Sequence, residues 1–89
     1  MALQLRKSVS QMLAEANAEI ETVAAADAIK LKDDPNILFV DIRDIRELDR
    51  DGRIPGAFHA PRGMLEFWVD PATPYHKEIF ASGKKFLFF

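Results

Sequence analysis

Cysteine is absent from the 89 residues of this chain. Its absence excludes disulfide bonds, thiolate metal sites and a cysteine nucleophile within these residues. A strongly basic surface is absent as well, since 12 Lys and Arg residues stand against 14 Asp and Glu residues and the formal net charge is −2. We therefore expect neither nucleic acid nor an anionic membrane surface as a partner.

Long hydrophobic runs are also lacking. Near the N-terminus, Arg6 and Lys7 precede Ser-Val-Ser-Gln-Met, which contains no apolar stretch long enough for a signal peptide or a membrane span. A cytoplasmic location is therefore the default prediction, with no membrane partner. The chain is 48% hydrophobic and 29% charged, which predicts one small globular domain over residues 1–89.

Residues 8–20 have the pattern of an amphipathic helix, and they predict an N-terminal helical extension over residues 1–20. Ser8 and Gln11 have the spacing of a capping box at the start of this helix. We interpret its apolar stripe as a face that docks on its own domain, with a dimer contact as the alternative. The stripe consists of Val9, Met12, Leu13, Ala16 and Ile20.

A continuous apolar run, Ile37-Leu-Phe-Val40, lies between Pro35-Asn36 and Asp41. Such a run is typical of a strand that is buried on both faces. Asp41 then lies at the carboxyl end of the strand, which is the edge of an open parallel sheet where ligands bind. Asp41 and the nearby Arg43 are therefore candidate site residues.

The elements around this strand predict the fold class. Residues 21–23 form a candidate short strand, and residues 24–32 have the alanine content of a short helix that ends before Pro35. A strand, a helix and a second strand in this order are typical of a crossover connection. The sequence therefore predicts an α/β fold with a parallel sheet.

A second helix, rich in charge, is predicted over residues 44–50. Gly52 ends it, and Pro55-Gly56 provides a turn in which glycine supplies a positive φ. Two pairs at helical spacing are candidates for ion pairs on this helix, Arg43 with Glu47 and Arg46 with Asp49.

The second half of the chain contains further apolar segments. Met64 and Leu65 are predicted to pack in the core, a short helix is predicted over residues 75–80, and a strand over residues 84–89. His59 and His76 lack the partner ligands that a metal site needs, so we interpret both as structural and predict no metal site.

The order of these motifs resembles the first half of a rhodanese (sulfurtransferase) domain. The resemblance rests on Val40-Asp-Ile-Arg43, on Glu47, on Gly52-Arg-Ile-Pro-Gly-Ala57 and on His59-Ala-Pro61. Each motif alone is weak, but their order and spacing together are specific. One departure is Arg53, which stands where the family usually has histidine.

The resemblance implies a three-layer α/β/α fold with a parallel sheet, and a chain that is incomplete at its C-terminus. In the family, the strand that corresponds to the one ending at Phe89 is followed directly by the catalytic cysteine. That cysteine accepts sulfane sulfur from a donor such as thiosulfate and passes it, through a persulfide, to a thiol or to cyanide, without a cofactor. The family's last strand lies between its first strand, which corresponds to residues 21–23, and the strand that ends at Phe89. A homodimer, or a second chain that completes the fold, is therefore an implied partner.

The same resemblance implies roles for individual residues. Asp41 and Arg43 would support the pocket floor, Arg62 would contact an anionic substrate, and Phe67 and Trp68 would wall the pocket. The alternatives are a structural ion pair for Asp41 and Arg43, and an ordinary surface charge for Arg62.

Three further functional interpretations stay open. The absence of cysteine, together with Arg53, favours a non-catalytic rhodanese-like module for binding or regulation. The same fold also carries phosphatase chemistry on a longer loop. Finally, an independent small α/β binding domain could share only the turn motifs.

Overall fold

Three parallel strands form the centre of the protein, and the computed structural model describes residues 4–89. The strands are β1 (Ile37–Asp41), β2 (Phe58–His59) and β3 (Lys85–Phe88). Within residues 4–89, four α-helices accompany them, α1 (Val9–Glu19), α2 (Ala25–Leu31), α3 (Ile45–Asp51) and α4 (Leu65–Val69), with short 3-10 helices at Arg62–Met64 and Glu78–Ala81. Of the helices described, none has the length and apolar character needed to cross a membrane.

β1 is the central strand, and the sheet order is β2-β1-β3. Val40 is in register with Phe58 on one side and with Phe88 on the other, and both pairings are parallel. Parallel neighbours require crossover connections, which the intervening helical segments provide. The predicted α/β class and parallel sheet are confirmed, and so is the strand predicted from the apolar run at residues 37–41.

One face of the sheet is covered by aromatic side chains, which we call the aromatic face. Trp68 of α4 and Phe80 both pack edge-on against Phe58, at ring-centroid distances of 6.1 and 5.8 Å. Phe80 also lies 5.4 Å from Phe86 of β3, so the contacts run across the sheet from β2 to β3. The aromatic face consists of Phe58, Trp68, Phe80, Phe86 and Phe88.

The core is small and centres on the second half of β1. The buried residues in the described part of the chain are Phe39, Val40, Asp41, Leu48 and Ala60. Met64, which the sequence predicted to lie in the core, is instead 36% exposed, because the 3-10 helix that carries it lies at the surface. For Met64 the prediction is therefore wrong, while Leu65 is half-buried.

The start and end of α3 follow from its sequence. The Asp44 side chain accepts a hydrogen bond from the Arg46 N–H, and Gly52 ends the helix at φ 90°. The predicted pairs of Arg43 with Glu47 and of Arg46 with Asp49 are wrong, because Arg43 precedes the helix and each arginine has another partner. Arg43 pairs with Asp41 at 2.8 Å and Arg46 pairs with Asp44 at 3.0 Å, while Asp49 pairs with Arg53 at 3.4 Å.

Residues 21–23 do not form the predicted strand. They have no regular secondary structure, and no backbone hydrogen bond joins them to β3 in the described structure. A cavity of about 400 Å³ separates the two segments, lined by residues 20–23 on one side and residues 85–88 on the other. Glu21 and Lys85 lie 3.7 Å apart across it. β3 is therefore an edge strand whose outer side faces this cavity.

The predicted helix over residues 75–80 is also wrong in type and extent, since the structure has only the 3-10 helix Glu78–Ala81 there. Pro74 and the hydrogen bond from the His76 N–H to the Thr73 carbonyl instead form a turn before it. This segment is thus held by local turns and by Phe80 on the aromatic face.

The N-terminal helix is confirmed, with both hydrogen bonds of the Ser8–Gln11 capping box present. The prediction that this helix docks on its own domain is wrong, because every residue from 9 to 22 is exposed. The Cα radius of gyration, 15.3 Å, exceeds the value of about 12 Å expected for a compact domain of this length. Of the predicted extension over residues 1–20, residues 1–3 lie outside the described residues.

Candidate functional site

The three strands are parallel, so their carboxyl ends meet at one edge of the sheet. There the Phe89 N–H donates to the Val40 carbonyl at 3.0 Å, and the Ile42 N–H donates to the Phe89 carbonyl at 2.9 Å. Phe89 is therefore held through both of its backbone groups by the end of β1. Its ring also packs edge-on against Phe39 at 6.2 Å.

The other side of β1 holds the segment after β2 in the same way. The Ala60 N–H donates to the Asp41 carbonyl at 2.8 Å, and the Arg62 N–H donates to the Ile42 carbonyl at 3.2 Å. Asp41 is also in register with His59. The backbone thus brings Asp41, Arg62 and Phe89, which are far apart in the sequence, to one edge of the sheet.

The Asp41 carboxylate is the buried polar group at this edge, with 2% of the residue exposed. Arg43 donates to it through Nη2 at 2.8 Å and through Nε at 3.0 Å, and the Arg43 backbone N–H donates at 3.0 Å. The hydrogen bonds from the Arg43 side chain hold the pKa of the Asp41 carboxyl below its ordinary value, although burial acts in the opposite direction. Asp41 is therefore an anion that accepts hydrogen bonds, and it is poorly suited to proton transfer at neutral pH.

Arg43 connects this carboxylate to three other parts of the chain. Its Nη2 also donates to the Gly52 carbonyl at 3.0 Å, at the end of α3. Its guanidinium carbon lies 6.0 Å from the ring centre of Phe89. Its carbonyl oxygen lies 2.9 Å from His59 Nε2, and because a carbonyl only accepts, that nitrogen carries the proton. Arg43 therefore ties together β1, β2, the end of α3 and Phe89.

Arg62 reaches the same edge with its backbone, but its side chain points along its own helical segment. The guanidinium is 63% exposed and forms an ion pair with Glu66. The Glu66 backbone N–H, together with this arginine, holds the pKa of the Glu66 carboxyl below its ordinary value. An anion that binds Arg62 therefore has to compete with Glu66 for the guanidinium.

Phe67 and Trp68, the two predicted pocket residues, lie in different surroundings. Trp68 packs on Phe58 in the aromatic face, with Lys77 Nζ 4.8 Å from its ring centre. Phe67 is 47% exposed and packs edge-on against Tyr75 at 6.3 Å. The structure thus brings Asp41 and Arg43 together and the Arg62 backbone beside them, while Phe67 and Trp68 take part in separate aromatic contacts.

Several contributors to this edge have no signal in the sequence. The Gly52 carbonyl is a backbone group nine residues from Arg43, so no side-chain pattern marks it. Phe89 and His59 join Arg43 only through the strand register.

His76, the other histidine, has Nδ1 2.9 Å from the Trp68 carbonyl. Among residues 4–89 no group of three acidic or histidine side chains is arranged to bind a metal ion.

Comparison with known proteins identifies the family. The model of the rhodanese-like domain matches residues 24–89. A solved structure from Rhodopseudomonas palustris, described as a protein of unknown function and possible tyrosine phosphatase, is 50% identical with a TM-score of 0.92. The match covers 100% of this chain and 69% of that one. The comparison with curated proteins found no match. Residues 24–89 contain β1, β2, β3 and the whole sheet edge around Asp41, and this chain belongs to the rhodanese-like domain family.

Proposed function

We propose that the intact protein is a sulfurtransferase that moves sulfane sulfur from a donor such as thiosulfate to a thiol or to cyanide. The nucleophile is a cysteine directly after Phe89, and the reaction needs no cofactor and takes place in the cytoplasm. The observation that carries this proposal is the double backbone hydrogen bonding of Phe89 to β1, with Arg43 beside its ring. The next residue would leave the sheet at the carboxyl edge, where parallel α/β folds bind ligands.

The reaction has two steps. The cysteine thiolate attacks the sulfane sulfur of thiosulfate, the sulfur–sulfur bond of the donor breaks, and sulfite leaves with the bonding electron pair. The enzyme then carries a persulfide. A thiolate or cyanide attacks the outer sulfur, forms a persulfide or thiocyanate, and releases the cysteine thiolate. Backbone N–H groups in the loop and a helix N-terminus would stabilise the thiolate.

The described residues have supporting roles in this reaction. Asp41 and Arg43 form the pocket floor and hold Phe89 in position, so that the backbone after it is fixed. Arg62 supplies a positive charge for the thiosulfate dianion, which replaces Glu66 as the partner of the guanidinium. Phe67 is a candidate wall through its exposed ring, whereas Trp68 supports the wall from the aromatic face.

The test begins with the intact mass of the protein produced from its complete gene. A mass above 10.1 kDa, with cysteine as the residue after Phe89, is the expected result. Incubation with thiosulfate should then add one sulfur atom to the protein, and cyanide should remove it as thiocyanate. Replacement of that cysteine by serine is the matched control. The absence of the cysteine, or of any persulfide in the intact protein, would overturn the proposal.

Tyrosine phosphatase activity is a second candidate, because the 50% identical protein from R. palustris is described as a possible tyrosine phosphatase. The same thiolate would then attack phosphorus, the bond from phosphorus to the phenol oxygen would break, and the phenol would leave. Water would then hydrolyse the phosphocysteine to phosphate and release the thiolate. Release of nitrophenol from para-nitrophenyl phosphate, without sulfur transfer from thiosulfate, would favour phosphatase activity over the proposed sulfurtransferase activity.

A non-catalytic binding or regulatory module is the third candidate, and it is favoured by Arg53 in place of the family's usual histidine. The Arg53 side chain pairs with Asp49 at 3.4 Å on the surface of α3. Arg53→His should leave sulfur transfer unchanged if the protein is an enzyme. Thiocyanate production by residues 1–89 alone would contradict both this alternative and the proposed cysteine.

A further inference from the structure

Helix α1 exposes a row of large apolar side chains. Met12 and Leu13 in its middle are 50% and 58% exposed, while Val9 at its start and Ile20 directly after its end are 65% and 60% exposed. Together with Ala16, these residues recur at three- and four-residue spacing, so they share one face of the helix. In the described structure no residue of α1 is buried, although its N-terminus is fully capped.

The charges around α1 are divided between its two ends. Arg6 and Lys7 precede the helix, whereas Glu15 and Glu19 lie in its C-terminal half. The first turn has no acidic residue and the last turn no basic one. This order is opposite to the one that the helix dipole favours, in which acids lie at the N-terminus and bases at the C-terminus. The charge order therefore does not stabilise α1 as an isolated helix.

We propose that α1 pairs in antiparallel orientation with α1 of a second copy of this protein. In that orientation the basic start of each helix lies beside the acidic end of the other, and the two helix dipoles oppose each other. Within one copy, Lys7 Nζ already lies 2.7 Å from the Glu15 carboxylate, so ion pairs between copies have to exchange with this one. A parallel pair would instead set Arg6 and Lys7 beside their own copies, and Glu15 and Glu19 likewise. Charge complementarity thus selects the antiparallel pair.

The interface fits a weak dimer. An 11-residue helix is about 16 Å long, so one such helix from each copy makes an interface in the small class, below about 1,200 Å². Because part of the attraction comes from exposed charges, added salt should weaken the dimer. The match to the R. palustris structure covers 100% of this chain, so the α1 segment has a counterpart in that protein.

Sedimentation equilibrium of the intact protein, over a wide concentration range at low salt, tests the apolar part of the proposal. We expect a monomer–dimer equilibrium that Leu13→Glu weakens about tenfold or more, a change of about 1.4 kcal/mol or more. The matched control is Ala14→Glu, which adds the same charge on the opposite face and should leave the equilibrium unchanged. Leu13→Ala, which retains helix propensity, should weaken the dimer to an intermediate extent.

Charge reversal tests the orientation. Arg6→Glu with Lys7→Glu should weaken the dimer, and Glu15→Lys with Glu19→Lys should do the same. All four changes in one chain should restore it, because the attraction between opposite ends returns with reversed sign. A protein that stays monomeric throughout, a dimer that is insensitive to Leu13→Glu, or a fourfold variant that stays dissociated would each overturn the proposal.

Discussion

Asp41 is the residue of the described chain that is both buried and charged. It is 2% exposed and accepts hydrogen bonds from both the side chain and the backbone N–H of Arg43. Removing the charge leaves the Arg43 guanidinium with weaker acceptors at the sheet edge. A buried hydrogen bond to a charged group contributes more to stability than a neutral one does.

We expect Asp41→Asn to lower the free energy of unfolding of the intact protein by about 2 kcal/mol, measured by urea denaturation. The control is Asp44→Asn, because the Asp44 side chain is 48% exposed and asparagine caps a helix as well as aspartate does. Equal effects from the two substitutions would argue against a special role for the buried carboxylate.

The same carboxylate predicts a pH dependence. Its pKa in the folded protein lies below the ordinary value of 3.8, so the unfolded state takes up its proton first as the pH falls. The stabilisation by Asp41 is therefore fully present well above pH 4 and is lost as the pH falls below the unfolded value and through the folded pKa. The stability difference between wild type and Asp41→Asn should shrink in acid. A difference that stays constant down to pH 2 would contradict this reasoning.

Gly52 is a second residue whose role can be tested alone. It has φ 90° and ψ 176°, a backbone region that only glycine adopts without strain, and its carbonyl accepts from Arg43. Gly52→Ala should lower the free energy of unfolding by about 2 kcal/mol. Gly63→Ala is the control, because Gly63 lies in a 3-10 helix without a positive φ and no atom lies within 4 Å of an added Cβ.

Among the elements, α4 carries two neighbouring aromatic residues with different roles. Trp68 packs on Phe58 and thereby connects α4 to the sheet, whereas Phe67 is exposed and contacts Tyr75. The contacts of Trp68 make it primarily a packing residue. A role for Phe67 in binding would depend on its exposed ring.

Thermal or urea unfolding of two alanine variants separates these roles. Trp68→Ala should lower the free energy of unfolding by about 3 kcal/mol, and Phe67→Ala by about 1 kcal/mol or less. If Phe67 walls the pocket, Phe67→Ala should still raise the KM for thiosulfate or its acceptor in the intact protein. Equal losses of stability would mean that the difference in packing between the two rings has little energetic effect.

For the whole molecule, two features limit stability: the core is small, and the outer side of β3 has no neighbouring strand. The buried apolar residues of the described chain are Phe39, Val40, Leu48 and Ala60. β3 has a paired neighbour on one side and the cavity of about 400 Å³ on the other. An unpaired strand edge next to a cavity leaves backbone groups without protein partners. The family resemblance implies that a further strand lies between β3 and residues 21–23.

We therefore expect residues 1–89 alone to fold poorly, and the product of the complete gene to be more stable. Hydrogen exchange should report strong protection of the β3 amides only in the longer protein or with a partner chain. A cooperative thermal transition of a monomeric chain, whose mass is verified as 10.1 kDa, would contradict this expectation.

Local patterns determined much of this protein. The apolar run at residues 37–40 specified a parallel strand, whose second half is buried, and Asp41 at its end specified the candidate site. Ser8 with Gln11, and Gly52, specified helix ends, and the Pro55-Gly56 turn has the expected positive φ of 82° at Gly56. These features depend on neighbouring residues, which is why sequence patterns are sufficient to predict them.

Only the tertiary structure decided which surfaces meet. An apolar stripe specifies which face of α1 is hydrophobic, but not whether the domain covers it, and here it does not. The partner of Arg43 was decided by where the helix starts, and the packing of Trp68 by the position of β2. Residues 21–23 form no backbone hydrogen bonds with a strand in the described structure, because strand formation depends on a neighbouring strand, and no local pattern encodes that neighbour.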